Sequence, residues 1–135
     1  MAYLLDADWV IQAQIGRQHA VSTLNRLAGQ RIAISIVTVG EIYEGAFRSS
    51  NPQAELEGYR RFLSRFLVLP LTDAIMEQFA ETRAFLRRRG QLIADFDLIA
   101  GITAIHHNLT LLTYNRRHFE RIPDIRLYPV DNREP

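Results

Sequence analysis

The sequence contains neither cysteine nor lysine, and each absence removes a class of chemistry. Without cysteine there are no disulfides, no thiolate metal ligands and no thiol nucleophile. Every basic side chain counted as lysine or arginine is arginine, so no lysine can act as Schiff base, general base or phosphate anchor. Phosphate recognition must come from arginine forks, helix N-termini or a metal ion. A formal net charge of +1 also excludes attraction of nucleic acid by bulk charge. No run approaches the roughly 20 apolar residues of a membrane span. Met1-Ala2-Tyr3-Leu4-Leu5-Asp6 has no basic region and no long apolar stretch, so no signal peptide is read. The expectation is a cytoplasmic protein without membrane contact.

What is present suits a single domain spanning 1–135. That length lies within the usual size of one domain, and 47% hydrophobic residues supply a core that needs no staples. Residues 2–6 form a short apolar run ending abruptly in acid, which reads as a buried strand. A short helix is expected over 7–15, and a better one over 18–28, where apolar residues recur three and four apart and Gly29 supplies the stop. Residues 32–36 make a second buried strand, after which Thr38 is the candidate cap of a helix to about Arg48. Asn51-Pro52 opens a helix to about Arg65, and Phe66–Leu69 is a third strand closed by Pro70. Thr72 or Asp73 caps a long amphipathic helix ending at Arg87-Arg88-Arg89-Gly90. An apolar helix runs from Asp97 to His106, a fourth strand covers 109–113, and 126–130 is an edge strand because of Pro129. Short buried strands alternating with helices indicate an α/β sandwich around a mostly parallel sheet.

In such sheets, sites lie beyond the carboxyl ends of the strands. Asp6 ends the first strand, Glu41 sits early in the helix after the second, Asp97 starts the helix before the fourth, and Asn115 follows the fourth. Carboxylates brought within about 4–6 Å raise one another's pKa, and a bound cation relieves them. Magnesium or manganese suits an all-oxygen site, where it polarises a phosphodiester oxygen and acidifies a water that attacks phosphorus. Each residue has a plainer reading too. Asp6, Asp95 and Asp97 can be helix caps, Glu41 a partner of the helix dipole, and Asn115 a turn residue.

The surroundings of these residues resemble the PIN-domain family, in its bacterial VapC toxin branch. L-L-D-A-D-W-V-I at 4–11 is similar to the opening motif, and T-V-G-E-I-Y-E-G at 38–45 to the second. I-A-D-F-D-L-I-A-G-I-T-A-I at 93–105 is similar to the third, and L-L-T-Y-N-R-R-H-F at 111–119 to the fourth. The resemblance covers essentially the whole chain in order. It implies a three-layer α/β/α endoribonuclease dependent on magnesium or manganese, often a homodimer, neutralised by a VapB-type antitoxin. It implies metal-ligand roles for Asp6, Glu41 and Asp97, with Asn115 as the fourth catalytic position, where the family carries Asp or Asn. Asn115 adds no charge, which favours one tightly held ion. Asp8 stands where many relatives carry Asn or Ser, and His118 where many carry Asp. Asp95 and Asp97, two apart on a helix, point in roughly opposite directions, and the Asp-Leu-Ile-Ala-Gly register favours Asp97. Asp95 is then a cap or a supporting group. The resemblance gives Thr113 a bond to a ligating carboxylate or a phosphate, although a strand-end threonine needs no such role.

Among the arginines, Arg116 and Arg117 flank Asn115 and are candidates to position RNA; the clusters at 60–65 and 87–89 read more simply as solvated helix faces. The four histidines lack metal-ligand spacing with the acids. Tyr43, Tyr59, Phe62, Phe66, Phe79 and Phe85 read as core or interface, and Tyr59, Phe62 and Phe66 are candidates for an antitoxin groove. Two rival functions remain. A haloacid-dehalogenase-like phosphatase shares the Asp-x-Asp opening but needs a downstream basic residue, most often the lysine this chain lacks. A non-catalytic RNA- or protein-binding module would leave the repulsion of the three carboxylates unexplained.

Overall fold

The computed structural model describes residues 2–129. Strand β1 (Ala2–Leu5) is buried from both sides, with Tyr3 and Leu5 in one hydrophobic core and Leu4 in the other. Burial on both faces explains why the run is continuously apolar instead of alternating. β2 (Arg31–Ser35) and β4 (Thr110–Leu112) flank it, and β3 (Leu67–Leu69) pairs with the outer side of β2. All three pairings are parallel and the order is β3-β2-β1-β4. The chain therefore builds outward from β1 and returns to its other side, so the switch point falls between β1 and β4.

Seven helices are described. α1 (Ala7–Gln14), α2 (Gln18–Arg26), α3 (Ile36–Phe47) and α4 (Pro52–Leu63) enclose the first core, around Trp9, Leu24, Ile42 and Leu56. α5 (Asp73–Arg88), α6 (Asp95–His106) and the short α7 (Arg116–Phe119) enclose the second, around Ile75, Leu98, Ile102 and Phe119. The result is a three-layer α/β/α sandwich. Gly29 and Gly90 follow α2 and α5 with φ of 89° and 66°, the left-handed conformation that ends a helix without steric cost. The aromatics singled out above pack on these cores: Tyr59 is buried, Tyr43, Phe62 and Phe66 lie on the first, and Phe79 and Phe85 on the second.

Several expectations need correction. α3 begins before Thr38: Ser35 ends the strand and caps the helix, its Oγ accepting from Val37 N at 3.2 Å. The β-branched pair Ile36-Val37 looks like strand, but serine is the better cap and the pairing with β3 stops at Ser35↔Leu69. α6 begins at Asp95, two residues early, with Ala94 O accepting from Leu98 N to close the first turn. The edge strand at 126–130 shrinks to an isolated parallel bridge, Leu111↔Leu127. Leu111 N donates to Arg126 O and Tyr128 N to Leu111 O, after which Pro129 offers no N–H to continue. Val130 lies outside the described residues. α7 had not been anticipated. Among the described residues no helix is long and apolar enough to cross a membrane.

Candidate active site

The switch point brings the ends of β1 and β4 together, since Asp6 N donates to Leu112 O at 3.0 Å. The Asp6 side chain is only 5% exposed. Its Oδ1 accepts from Ala7 N at 2.9 Å, capping α1, and its Oδ2 accepts from Thr113 Oγ1 at 2.7 Å. Asp6 is thus both a cap and a buried acid, and one role does not displace the other. Burial pushes its carboxyl up to about 6 despite those two hydrogen bonds, and neighbouring Asp97 adds to the rise.

Glu41 lies on the second turn of α3 and is pushed up to about 7, first by burial and then by Asp6 and Asp97. Asp97, in the first turn of α6, is raised by burial and held down by the His118 ring. His118 Nδ1 lies 4.0 Å from Asp97 Oδ2 and 2.9 Å from Asn115 Nδ2. Three elements from different parts of the chain therefore bring these acids within reach, Asp6 and Asp97 opposing ionisation of Glu41 and Asp97 opposing that of Asp6, and the loop after β4 adds Asn115 through its contact with His118.

Asp8 completes the acidic floor. Its Oδ2 accepts from Tyr114 N at 3.0 Å and stands 3.3 Å from Thr113 Oγ1. The single hydroxyl proton of Thr113 serves mainly Asp6, the shorter contact, while its oxygen accepts from Asn115 N at 3.0 Å. Burial, and then Asp6, pushes Asp8 up to about 7. Its Oδ1 is buried without a hydrogen-bond partner among the described residues.

A divalent cation fits this set. The donors are all oxygen, the acids are raised by one another as well as by burial, and an orphaned buried acceptor faces no donor. Among the described residues, no three or more acids and histidines close into a ready-made metal cage.

The remaining candidates are placed as follows. Asp95 turns to α5, where Arg83 Nε donates to its Oδ1 at 2.8 Å, and it caps nothing. Arg116 Nη1 donates to Tyr128 O at 2.7 Å, so it ties down the C-terminal segment and does not lie free for substrate. Arg117 is exposed. Arg60 and Arg65 lie over aromatic rings at 5.5 and 4.7 Å, as does Arg89 at 4.8 Å, and Arg61 lies 3.8 Å from Glu57. Sequence reasoning missed Asp8 and His118 as members of the cluster. The available signals were the two-residue spacing from Asp6 and the three-residue helical spacing from Asn115.

The family described as PIN domain matches residues 3–125. The chain is 32% identical over 127 residues to Ribonuclease VapC2 of Haemophilus influenzae, covering 93% of this chain and 96% of that one. It is 29% identical to the tRNA(fMet)-specific endonuclease VapC of Salmonella typhimurium, over 94% of this chain and 96% of that one. Among solved structures, VapBC2 from Rickettsia felis bound to a DNA fragment from their promoter superimposes with a TM-score of 0.90 at 28% identity, over 97% of this chain and 100% of that one.

Proposed function

The chain belongs to the PIN-domain family, and from that premise we propose that it is a metal-dependent endoribonuclease, the toxin of a VapBC-type toxin–antitoxin pair. The observation that carries the chemistry is the convergence of Asp6, Glu41 and Asp97 at the switch point, with the first two pushed up to about 6 and about 7. A phosphatase would need a basic partner for its nucleophile, and a binding module would have no use for acids held against one another.

Asp6, Glu41 and Asp97 would hold magnesium or manganese, which when bound would supply charge that stabilises a phosphodiester under attack by water. Thr113 keeps Asp6 oriented and favours its ionised form through the 2.7 Å hydrogen bond. Asn115 offers an amide next to the acids, able to orient water or a phosphate oxygen without adding negative charge. Arg117, exposed next to His118 in α7, offers a guanidinium fork to the RNA backbone. For the VapB-type antitoxin we assign the hollow of about 420 Å³ between α2 and α4, where Leu24, Ile32, Phe62 and Phe66 are joined by the polar Asn25, Gln30 and Arg65. Tyr59 does not line that hollow, since its side chain is committed to the core.

The test is cleavage. Partner-free protein incubated with bacterial RNA should give discrete products in magnesium or manganese, none in EDTA, and none from Asp97→Asn. No products and no stabilisation by metal would overturn the nuclease reading in favour of a binding module.

A further inference from the structure

Beside the acidic floor lies a second hollow, of about 620 Å³, lined by Asp8, Gln12, Arg17, Gln18, His19, Ser22 and Tyr114. Its wall is an aromatic stack. Trp9, 1% exposed, lies parallel to Tyr114 with centroids 4.3 Å apart and planes 8° apart. His19 Nδ1 meets the Tyr114 hydroxyl at 2.9 Å, and its ring leans on both aromatics at 5.5 and 5.8 Å. The backbone of Tyr114 is pinned as well, by its N–H to Asp8 Oδ2. Tyr114 nevertheless remains 39% exposed. A large ring held at its base, face and tip is preorganised, which lowers the entropic cost of using it as a contact surface.

The rest of the lining is predominantly neutral and hydrogen-bonding. Two glutamine amides, a serine hydroxyl and an imidazole surround one arginine and one carboxylate. That is poor chemistry for a phosphate, which Asp8 would repel, and too polar for an aliphatic side chain. It suits a planar heteroaromatic ring whose edge carries donors and acceptors, and amide side chains read such edges in both senses. Asp8 joins the hollow to the acids, because Thr113 Oγ1 contacts Asp6 and Asp8 together. A ring seated there therefore belongs to a nucleotide next to the phosphodiester under attack.

We infer that this hollow is a nucleobase subsite, in which Tyr114 supports an unstacked base of single-stranded RNA and Gln12 and Gln18 read its edge, making them specificity-determining residues. The inference rests on the nuclease reading for its substrate class, but binding can be measured without cleavage. Trp9 is the only tryptophan in the chain and stacks on the wall, so its fluorescence reports occupancy.

In EDTA, where no turnover is expected, short single-stranded oligoribonucleotides of each base composition are titrated against the full chain. The expected result is a saturable change in Trp9 emission, tenfold or more in favour of one base, and absent with a duplex of the same sequence. Gln18→Ala and Gln12→Ala are surface changes that should leave the fold intact, checked by thermal melting. They should reduce the preference between bases to threefold or less, while Tyr114→Leu should weaken all bases tenfold. In magnesium, the same glutamine variants should broaden the cleaved sequences without abolishing cleavage. Unchanged base preference and affinity in the folded variants would overturn the subsite, whether or not the protein cuts RNA. Metal-dependent cleavage with those unchanged profiles would leave the nuclease reading standing alone. Base-selective binding without any cleavage would support the subsite and remove the nuclease reading.

Discussion

At the scale of single residues, Thr113 is the joint of the site. The residue is 1% exposed, and its hydroxyl donates to Asp6, contacts Asp8 and accepts from Asn115 N. Thr113→Val keeps the shape and removes all three interactions, leaving an unpaired buried carboxylate oxygen and an unpaired N–H, a loss of about 1–3 kcal/mol. Because the bond favours ionised Asp6, its removal raises the Asp6 carboxyl further. Metal titrations at several pH values should therefore show half-saturation displaced to higher pH. A purely structural threonine would lower stability in urea and leave that midpoint where it was. Asp8 shows why residue-level reading stopped short. In sequence it is the second acid of a pair with an ordinary spacing, and nothing there reveals that Tyr114, 106 positions away, would donate to it.

At the scale of elements, α6 must approach α7 closely enough for Asp97 to meet His118. Gly101 permits this. A Cβ at that position would lie 2.5 Å from Ile122 Cδ1 and 3.4 Å from Phe119 Cδ1. Both side chains are buried, at 2% and 0% exposure, so the displaced methyl has little room. Gly101→Ala gains helix propensity of up to about 1 kcal/mol, but overpacking costs about 1–3 kcal/mol, so a net loss of roughly 1 kcal/mol is expected in urea denaturation. Adding Ile122→Val removes the offending Cδ1 and should restore most of that loss. If the single variant proves as stable as the parent and the double variant less stable, the close approach is not what holds α7 in place. The run Leu98–Ala104 was legible as an apolar helix, since it is buried throughout. Its start at Asp95 was not, because Ala94 supplies no capping side chain and the terminus is set by packing and by Arg83.

At the scale of the whole molecule, the acidic floor sets a pH dependence of stability. Asp6 and Asp8 are raised from 3.8 to about 6 and about 7, and Glu41 from 4.5 to about 7. The folded protein therefore binds these protons more tightly than the unfolded chain does. Their contribution is full below about pH 4 and is lost as pH rises through 6 and 7. In EDTA, the melting temperature should be higher at pH 5 than at pH 8. Asp8→Asn removes one repelling charge and should raise the melting temperature at pH 8 while changing it little at pH 5. Magnesium or manganese binds the ionised folded form and should narrow the difference between the two pH values. Calorimetric scans with and without metal would decide this, and a melting temperature that rises steadily with pH in EDTA would contradict the assignment of repulsion among these acids.

Local pattern was enough to place strands close to the observed 2–5 and 31–35, most helices and the parallel α/β class, and to single out Asp6, Glu41 and Asp97 as candidates. Those features depend on burial periodicity and on residue types at chain turns, both of which are written in neighbouring positions. Tertiary structure alone decided which further groups join them. Asp8 with Tyr114 and the stack of Trp9, Tyr114 and His19 are contacts made across the switch point between β1 and β4, and His118 meets Asp97 where α7 lies against α6. Their partners lie far apart in sequence or on opposite helices, so no local spacing encodes them. The order β3-β2-β1-β4 creates those at the switch point by bringing the two strand ends side by side.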